Sequence, residues 1–164
     1  MQNIVLIGFM GSGKTSLAAL LSSRLHMEWI DSDAFIESRE GLSVAQIFAM
    51  RGEASFRTLE AGFIESFKQK SGYIISTGGG LPIFNSIEGL GLCIYLKASF
   101  EVIAKRLRQS THNRPLFKNL DEAKALYNKR APIYENLASA IIEADSSLEE
   151  VARLVMKAVG DKAI

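Results

Sequence analysis

The chain has 164 residues, is 48% hydrophobic and 23% charged, and carries a net charge of +1. That is an ordinary globular composition with enough length for one real core. The charge balance excludes a bulk field for nucleic acid or an anionic membrane, and no apolar run reaches the roughly 18 residues of a membrane span. The expectation is one domain over 1–164, cytoplasmic and monomeric, with no basic, apolar targeting segment ahead of the first strand.

The first element is a β-branched apolar run over 3–7, suited to a strand covered on both faces. Gly8, Gly13, Lys14 and Thr15 follow at the G-x-x-x-x-G-K-[ST] spacing of a phosphate-binding loop. Glycines let successive backbone N–H groups turn toward a polyphosphate, and the helix that opens here aims its positive end at the anion. Lys14 brings a point charge to the β- and γ-phosphates, and the Thr15 hydroxyl can ligate Mg²⁺. Gly11, Ser12, Gly13, Lys14, Thr15 and Ser16 are therefore the expected ATP contacts. Leu17, Leu20, Leu21 and Leu25 continue at helical spacing.

A second strand over 27–30 ends at Asp31-Ser32-Asp33. Helical material runs from there to a C-cap at Gly41, and Ser43 with Gln46 forms a capping box for a short helix that Gly52 closes. The next helix carries Phe56, Leu59, Phe63, Ile64 and Phe67 on one face. A third strand over 73–77 runs into Gly78-Gly79-Gly80, and a fourth covers 92–96. Cys93, the single cysteine, lies in that fourth run, where a buried, inert thiol is expected. Ser99 caps a helix with Val102, Ile103 and Leu107.

Residues 109–118 lack periodicity and read as a flap around Arg114-Pro115, with His112 a solvated loop residue. Asn119 and Glu122 look like another capping box, and Pro132 predicts a kink or break in the helix they open. A fifth strand over 140–144 and a helix capped by Ser146 complete the pattern. Strands alternating with helices mean an α/β sandwich around a parallel sheet. Ligands collect beyond the carboxyl ends of such strands. The phosphate loop, the Asp31–Asp33 segment and the triple glycine should meet there.

Phosphoryl transfer needs charge neutralisation and a group that orients the acceptor hydroxyl and takes its proton. Asp31 and Asp33 are placed for metal and acceptor work; spacing does not divide the roles, and either could instead cap a helix. Three consecutive glycines are tolerated where backbone must approach a ligand closely. Arg57 and Arg130 together would suit a carboxylate, and Arg114 could reach the phosphates as the flap closes.

With these motifs in order, the sequence resembles the shikimate kinase family of P-loop kinases. The likeness rests on G-x-M-G-S-G-K-[ST] ending at Thr15, D-S-D at 31–33, Phe56-Arg57, T-G-G-G at 77–80, R-P-L from Arg114, and R-x-P-x-Y from Arg130 to Tyr134. The resemblance implies a three-layer sandwich with a five-stranded parallel sheet, a substrate-binding region over 33–60 and a mobile lid over 109–118. It implies transfer from ATP to the 3-hydroxyl of shikimate. In it, Asp33 is the base, Arg57 and Arg130 hold the carboxylate, and Gly78, Gly79 and Gly80 pack against the substrate. Lys14 and Arg114 steady the phosphoryl group, while Thr15 and Asp31 serve Mg²⁺. The lid departs from the family in having fewer basic residues before Arg114. Competing readings are a gluconate kinase or a nucleoside monophosphate kinase, a GTPase-type switch and a nucleotide binder without catalysis. The switch is disfavoured because Asn128-Lys129-Arg130-Ala131 lacks the aspartate of a guanine-reading N-K-x-D.

Overall fold

The computed structural model describes residues 1–109 and 119–162. Five strands form one parallel sheet: β1 (Ile4–Ile7), β2 (Glu28–Asp31), β3 (Tyr73–Ser76), β4 (Leu92–Lys97) and β5 (Ala140–Glu143), in the order β2-β3-β1-β4-β5. The central strands are apolar on both faces because helices cover both. All four residues of β1 are buried, as the unbroken run over 3–7 requires.

Helices α1 (Lys14–Leu25) and α8 (Leu148–Lys162) pack on each other. Helices α2 (Ser32–Glu40), α3 (Val44–Arg51), α4 (Glu53–Lys68), α5 (Leu81–Phe84), α6 (Phe100–Gln109) and α7 (Leu120–Leu137) form a second connected set. The chain moves one way along the sheet through α1 and the other way through α4 and α7. Right-handed crossovers therefore place these sets on opposite faces. The connection leaving β1 thus runs over the face opposite to those leaving its neighbours β3 and β4, so the C-terminal end of β1 opens into a crevice.

A smaller core of Ile36, Ile47 and Phe56, joined by Phe35, Val44 and Phe48, seats α2, α3 and α4 together beside the main sheet. It gives the 33–60 segment its own rigid base. The capping box of Ser43 and Gln46 forms as expected, and Gly41 ends α2 in the left-handed conformation.

Three expectations need correction. The four-residue α5, directly after the triple glycine, was not foreseen. The cap of α8 is one residue later than expected: the Ser147 hydroxyl, not that of Ser146, accepts from the Glu150 N–H at 3.3 Å. Pro132 does not break α7, which runs from Leu120 to Leu137. Pro132 and Asn128, whose carbonyl the ring frees, are both exposed, so water can satisfy that carbonyl. Beyond the proline, fully buried Tyr134 pins the helix to the sheet.

Candidate active site

The phosphate loop leaves β1 and enters α1 through Gly13, whose φ of 97° lies in the left-handed region. Helices α2, α3 and α7 are capped by Asp31, Ser43 and Asn119, whereas α1 has no side-chain cap among the described residues and no acid in its first turn. The positive end of its dipole suits an anion from outside the chain. Lys14 is buried, and its ammonium donates to the carbonyls of Gly8 at 2.7 Å and Phe9 at 3.0 Å. One positive charge is fixed inside the loop. Thr15 and Ser16 are exposed beside it.

Parallel pairing sets Asp31 of β2 against Ser76 of β3 at the same rim. The two oxygens of Asp31 then divide their work. Oδ1 caps α2, accepting from the Ala34 N–H at 3.0 Å. Oδ2 accepts from the hydroxyls of Thr15 at 2.9 Å and Ser76 at 3.1 Å. Capping and site roles, alternatives in the sequence, coexist on one carboxylate. A carboxylate and two hydroxyls are hard oxygen donors. They fit Mg²⁺, which takes one or two carboxylates and completes its shell with phosphate and water.

Gly78, Gly79 and Gly80 bring three further side chains to one place. A Cβ on Gly78 would stand 2.5 Å from Asp33 Oδ1, and one on Gly80 would stand 2.7 and 2.8 Å from the terminal nitrogens of Arg57. Neither fits. At Gly79 a Cβ would make ordinary contacts, 3.6 Å from Arg130 Nη1 and from the Tyr134 hydroxyl oxygen. Asp33, Arg130 and Arg57 therefore face successive residues of one bare backbone segment. Tyr134, one turn beyond Arg130, donates its hydroxyl to the Gly79 carbonyl at 2.6 Å and fixes that segment. Burial pushes the Tyr134 hydroxyl up to about 12, so it stays a donor.

The acids here are under strain. Asp33 Oδ1 and Glu60 Oε2 are the buried side-chain atoms without a hydrogen-bond partner among the described residues. Burial, with the negative charges of Asp31 and Glu60, raises Asp33 from 3.8 to about 7, although Lys14 opposes the shift. That Lys14, Asp31 and Glu60 all act on Asp33 ties the phosphate loop to the glycine segment. Glu60 is fully buried. Its burial raises its pKa against the lowering effect of Arg57. Its Oε1 accepts from Arg57 at 2.7 Å and from the Asn85 amide at 3.3 Å.

Behind the phosphate loop lies a cavity of about 260 Å³, bordered by Ser12, Gly13, Ser16, Arg106, Ala144 and Ser146 among others. Arg106 bridges it, donating to the carbonyls of Gly11 at 3.0 Å and Ala144 at 3.3 Å. The structure thus gathers Lys14, Thr15, Asp31, Asp33, Arg57, Gly78, Gly79, Gly80 and Arg130 at one rim. Arg114 and residues 110–118 of the expected lid lie outside the described residues.

Sequence reasoning missed Glu60, Ser76 and Arg106. For Glu60 there was a signal: it sits at helical spacing from Phe56, Phe63 and Ile64, an acid inside an apolar stripe, three residues from Arg57. Ser76 and Arg106 are defined by strand register and by a helix crossing, which local patterns do not carry.

A family model described as shikimate kinase matches residues 10–160. A shikimate kinase of Helicobacter hepaticus is 42% identical over 162 residues, covering 96% of this chain and 95% of that protein. A solved shikimate kinase of Acinetobacter baumannii in complex with shikimate superposes with a TM-score of 0.89 at 28% identity, covering 99% of this chain and 95% of that one. A gluconokinase of Sinorhizobium meliloti, with a TM-score of 0.63 at 17% identity over 98% of this chain and 92% of its own, shares the fold alone.

Proposed function

The chain belongs to the shikimate kinase family, and we infer that it transfers the γ-phosphoryl group of ATP to the 3-hydroxyl of shikimate, yielding shikimate 3-phosphate and ADP. One observation carries the assignment to this site: an acid and two guanidinium groups abut three consecutive glycines, beside the buried lysine of a phosphate loop.

In this reading the carboxylate of shikimate lies between Arg57 and Arg130, whose donors suit it. Its ring packs on Gly78, Gly79 and Gly80. Asp33 orients the acceptor hydroxyl and takes its proton. A carboxyl near 7 is matched to that work at neutral pH, since a general base is most effective with its pKa near the working pH. Gly11, Ser12, Gly13, Lys14, Thr15 and Ser16 hold the polyphosphate, and the base and ribose enter the cavity under Arg106. Lys14 counters charge on the transferring group, and Arg114 does so with it. Thr15 and Asp31, with Ser76 beside them, would hold Mg²⁺, which would supply charge neutralisation for the phosphates when bound.

Among the described residues no helix is long and apolar enough to cross a membrane. The reading proposed for the chain is a single domain working in the cytoplasm.

An ADP-release assay with Mg²⁺ and ATP tests the reading. ADP should appear when shikimate is added, and not with gluconate or AMP. Equal turnover with either rival acceptor, or none with shikimate, overturns it.

A further inference from the structure

Arg57 is gripped from more directions than a substrate-binding arginine on a helix surface requires. Its Nε and Nη2 donate to Glu53 Oε1 at 3.4 and 3.2 Å, and its Nη1 donates to Glu60 Oε1 at 2.7 Å. A guanidinium has five N–H groups. Among the described residues this leaves one on each terminal nitrogen, the two nitrogens nearest Gly80. Those two could meet a carboxylate side by side, provided that the plane of the group is held.

Edge contacts do not fix the tilt of that plane; a face contact does. The Arg57 Cζ stands 4.1 Å from the ring centroid of Phe84, against 5.4 Å for Phe56 and 5.8 Å for Phe48. Phe84 is 52% exposed. A large apolar ring left half in water on a four-residue helix contributes little to the core, yet its face is laid on the arginine. Its neighbour Asn85 donates to Glu60, the buried counter-ion of the same arginine. Helix α5 grows directly out of the triple glycine. The segment that backs the substrate thus also sets how Arg57 is presented.

We propose that Phe84 is a positioning residue for the acceptor site, its ring stacking on Arg57 so that the free edge of the guanidinium faces the substrate carboxylate. The proposal rests on the reading of Arg57 as a carboxylate ligand. A stack of this kind is strongest when partly desolvated and depends on the π face, not on bulk.

The test is steady-state kinetics on Phe84→Ala, Phe84→Leu, Phe84→Tyr and Arg57→Ala. Phe84→Ala and Phe84→Leu should raise KM for shikimate roughly three- to tenfold. KM for ATP and the melting temperature should hold, and Phe84→Tyr should behave as the parent. In an Arg57→Ala background, Phe84→Ala should add nothing. If Arg57→Ala raises KM for shikimate while Phe84→Ala changes it less than twofold, the positioning role fails and the site assignment stands. If Phe84→Leu matches the parent, or KM for both substrates rises together, the role also fails. If Arg57→Ala leaves KM for shikimate unchanged, the carboxylate reading fails and the proposal with it.

Discussion

At the N-terminal end of β1, Asn3 is buried and its side chain is fully engaged. Its amide donates to the carbonyls of Phe67 at 3.2 Å, Lys70 at 2.9 Å and Leu90 at 3.0 Å, and its oxygen accepts from the Tyr73 N–H at 3.0 Å. At the opposite end of the sheet, Asp33 and Glu60 each keep a buried oxygen without a partner among the described residues. A buried polar atom left unbonded costs about 1–3 kcal/mol. One rim spends its polar groups on joining α4, β3 and the turn before β4. The other holds charge in reserve, facing bare backbone. Stability and function are thus divided along the strand direction, as parallel α/β sheets divide them generally.

The largest effects should come from breaking each rim in turn. Asp33→Asn keeps the shape and removes the proton acceptor; turnover should fall by about 10²–10⁴-fold, the usual range for a general base, with ATP binding retained. Stability should move the other way. The folded-state pKa of Asp33, about 7, lies above the ordinary 3.8, so its contribution is fully present below pH 3.8 and is lost as pH rises through 7. Asp33→Asn should therefore match the parent near pH 4 and gain on it up to pH 7. Above that it should stay about 2 kcal/mol more stable, allowing for solvent reaching this partly open residue. Thermal melts across pH 4–8 measure this. A variant less stable than the parent at pH 8 would show Asp33 to be a structural group.

The mirror experiment is Asn3→Ala. It removes the side-chain partner of the Lys70 and Leu90 carbonyls and of the Tyr73 N–H, while the Phe67 carbonyl keeps the Lys70 N–H at 3.1 Å, and should cost about 3 kcal/mol, or roughly 6–12 °C in melting temperature. Turnover below the transition should be unchanged. A large loss of turnover at full folding would mean that the two ends are mechanically coupled.

This division explains what could be read from the sequence. The strands, the phosphate loop and the caps of α3 and α7 are local, so spacing and residue type carry them. Asp31, Asp33 and the glycines stood out because each breaks a local rule, as an acid at a strand end or three costly glycines together, whereas Arg57 and Arg130 are each ambiguous alone and took their roles from the family resemblance. That Asp31 caps and faces Thr15 at once could not be read, since it depends on register with Ser76. Asn3 read only as the start of a strand, because its partners lie 64 to 87 residues away. Of the kink or break that Pro132 allowed, the break is absent for a related reason: its cost depends on whether water reaches the freed carbonyl, which only the packing of α7 decides.

The smallest effect probes how tightly the charged rim is coupled. Asp31 and Glu60 both push the Asp33 carboxyl upward. Asp31 is unsuited to a test, because altering it also disturbs Thr15 and the cap of α2. Glu60→Gln keeps size and a hydrogen-bonding oxygen for Arg57 while removing one negative charge. With that charge gone the ionised form of Asp33 is easier to hold, so its pKa must fall. The acid limb of kcat/KM for shikimate should then move down by roughly half a unit, the scale of one partly screened charge. An upward shift would mean that loosening Arg57 outweighs the field of Glu60. No shift would mean that the limb reports a group other than Asp33, and the assignment of the base would have to move.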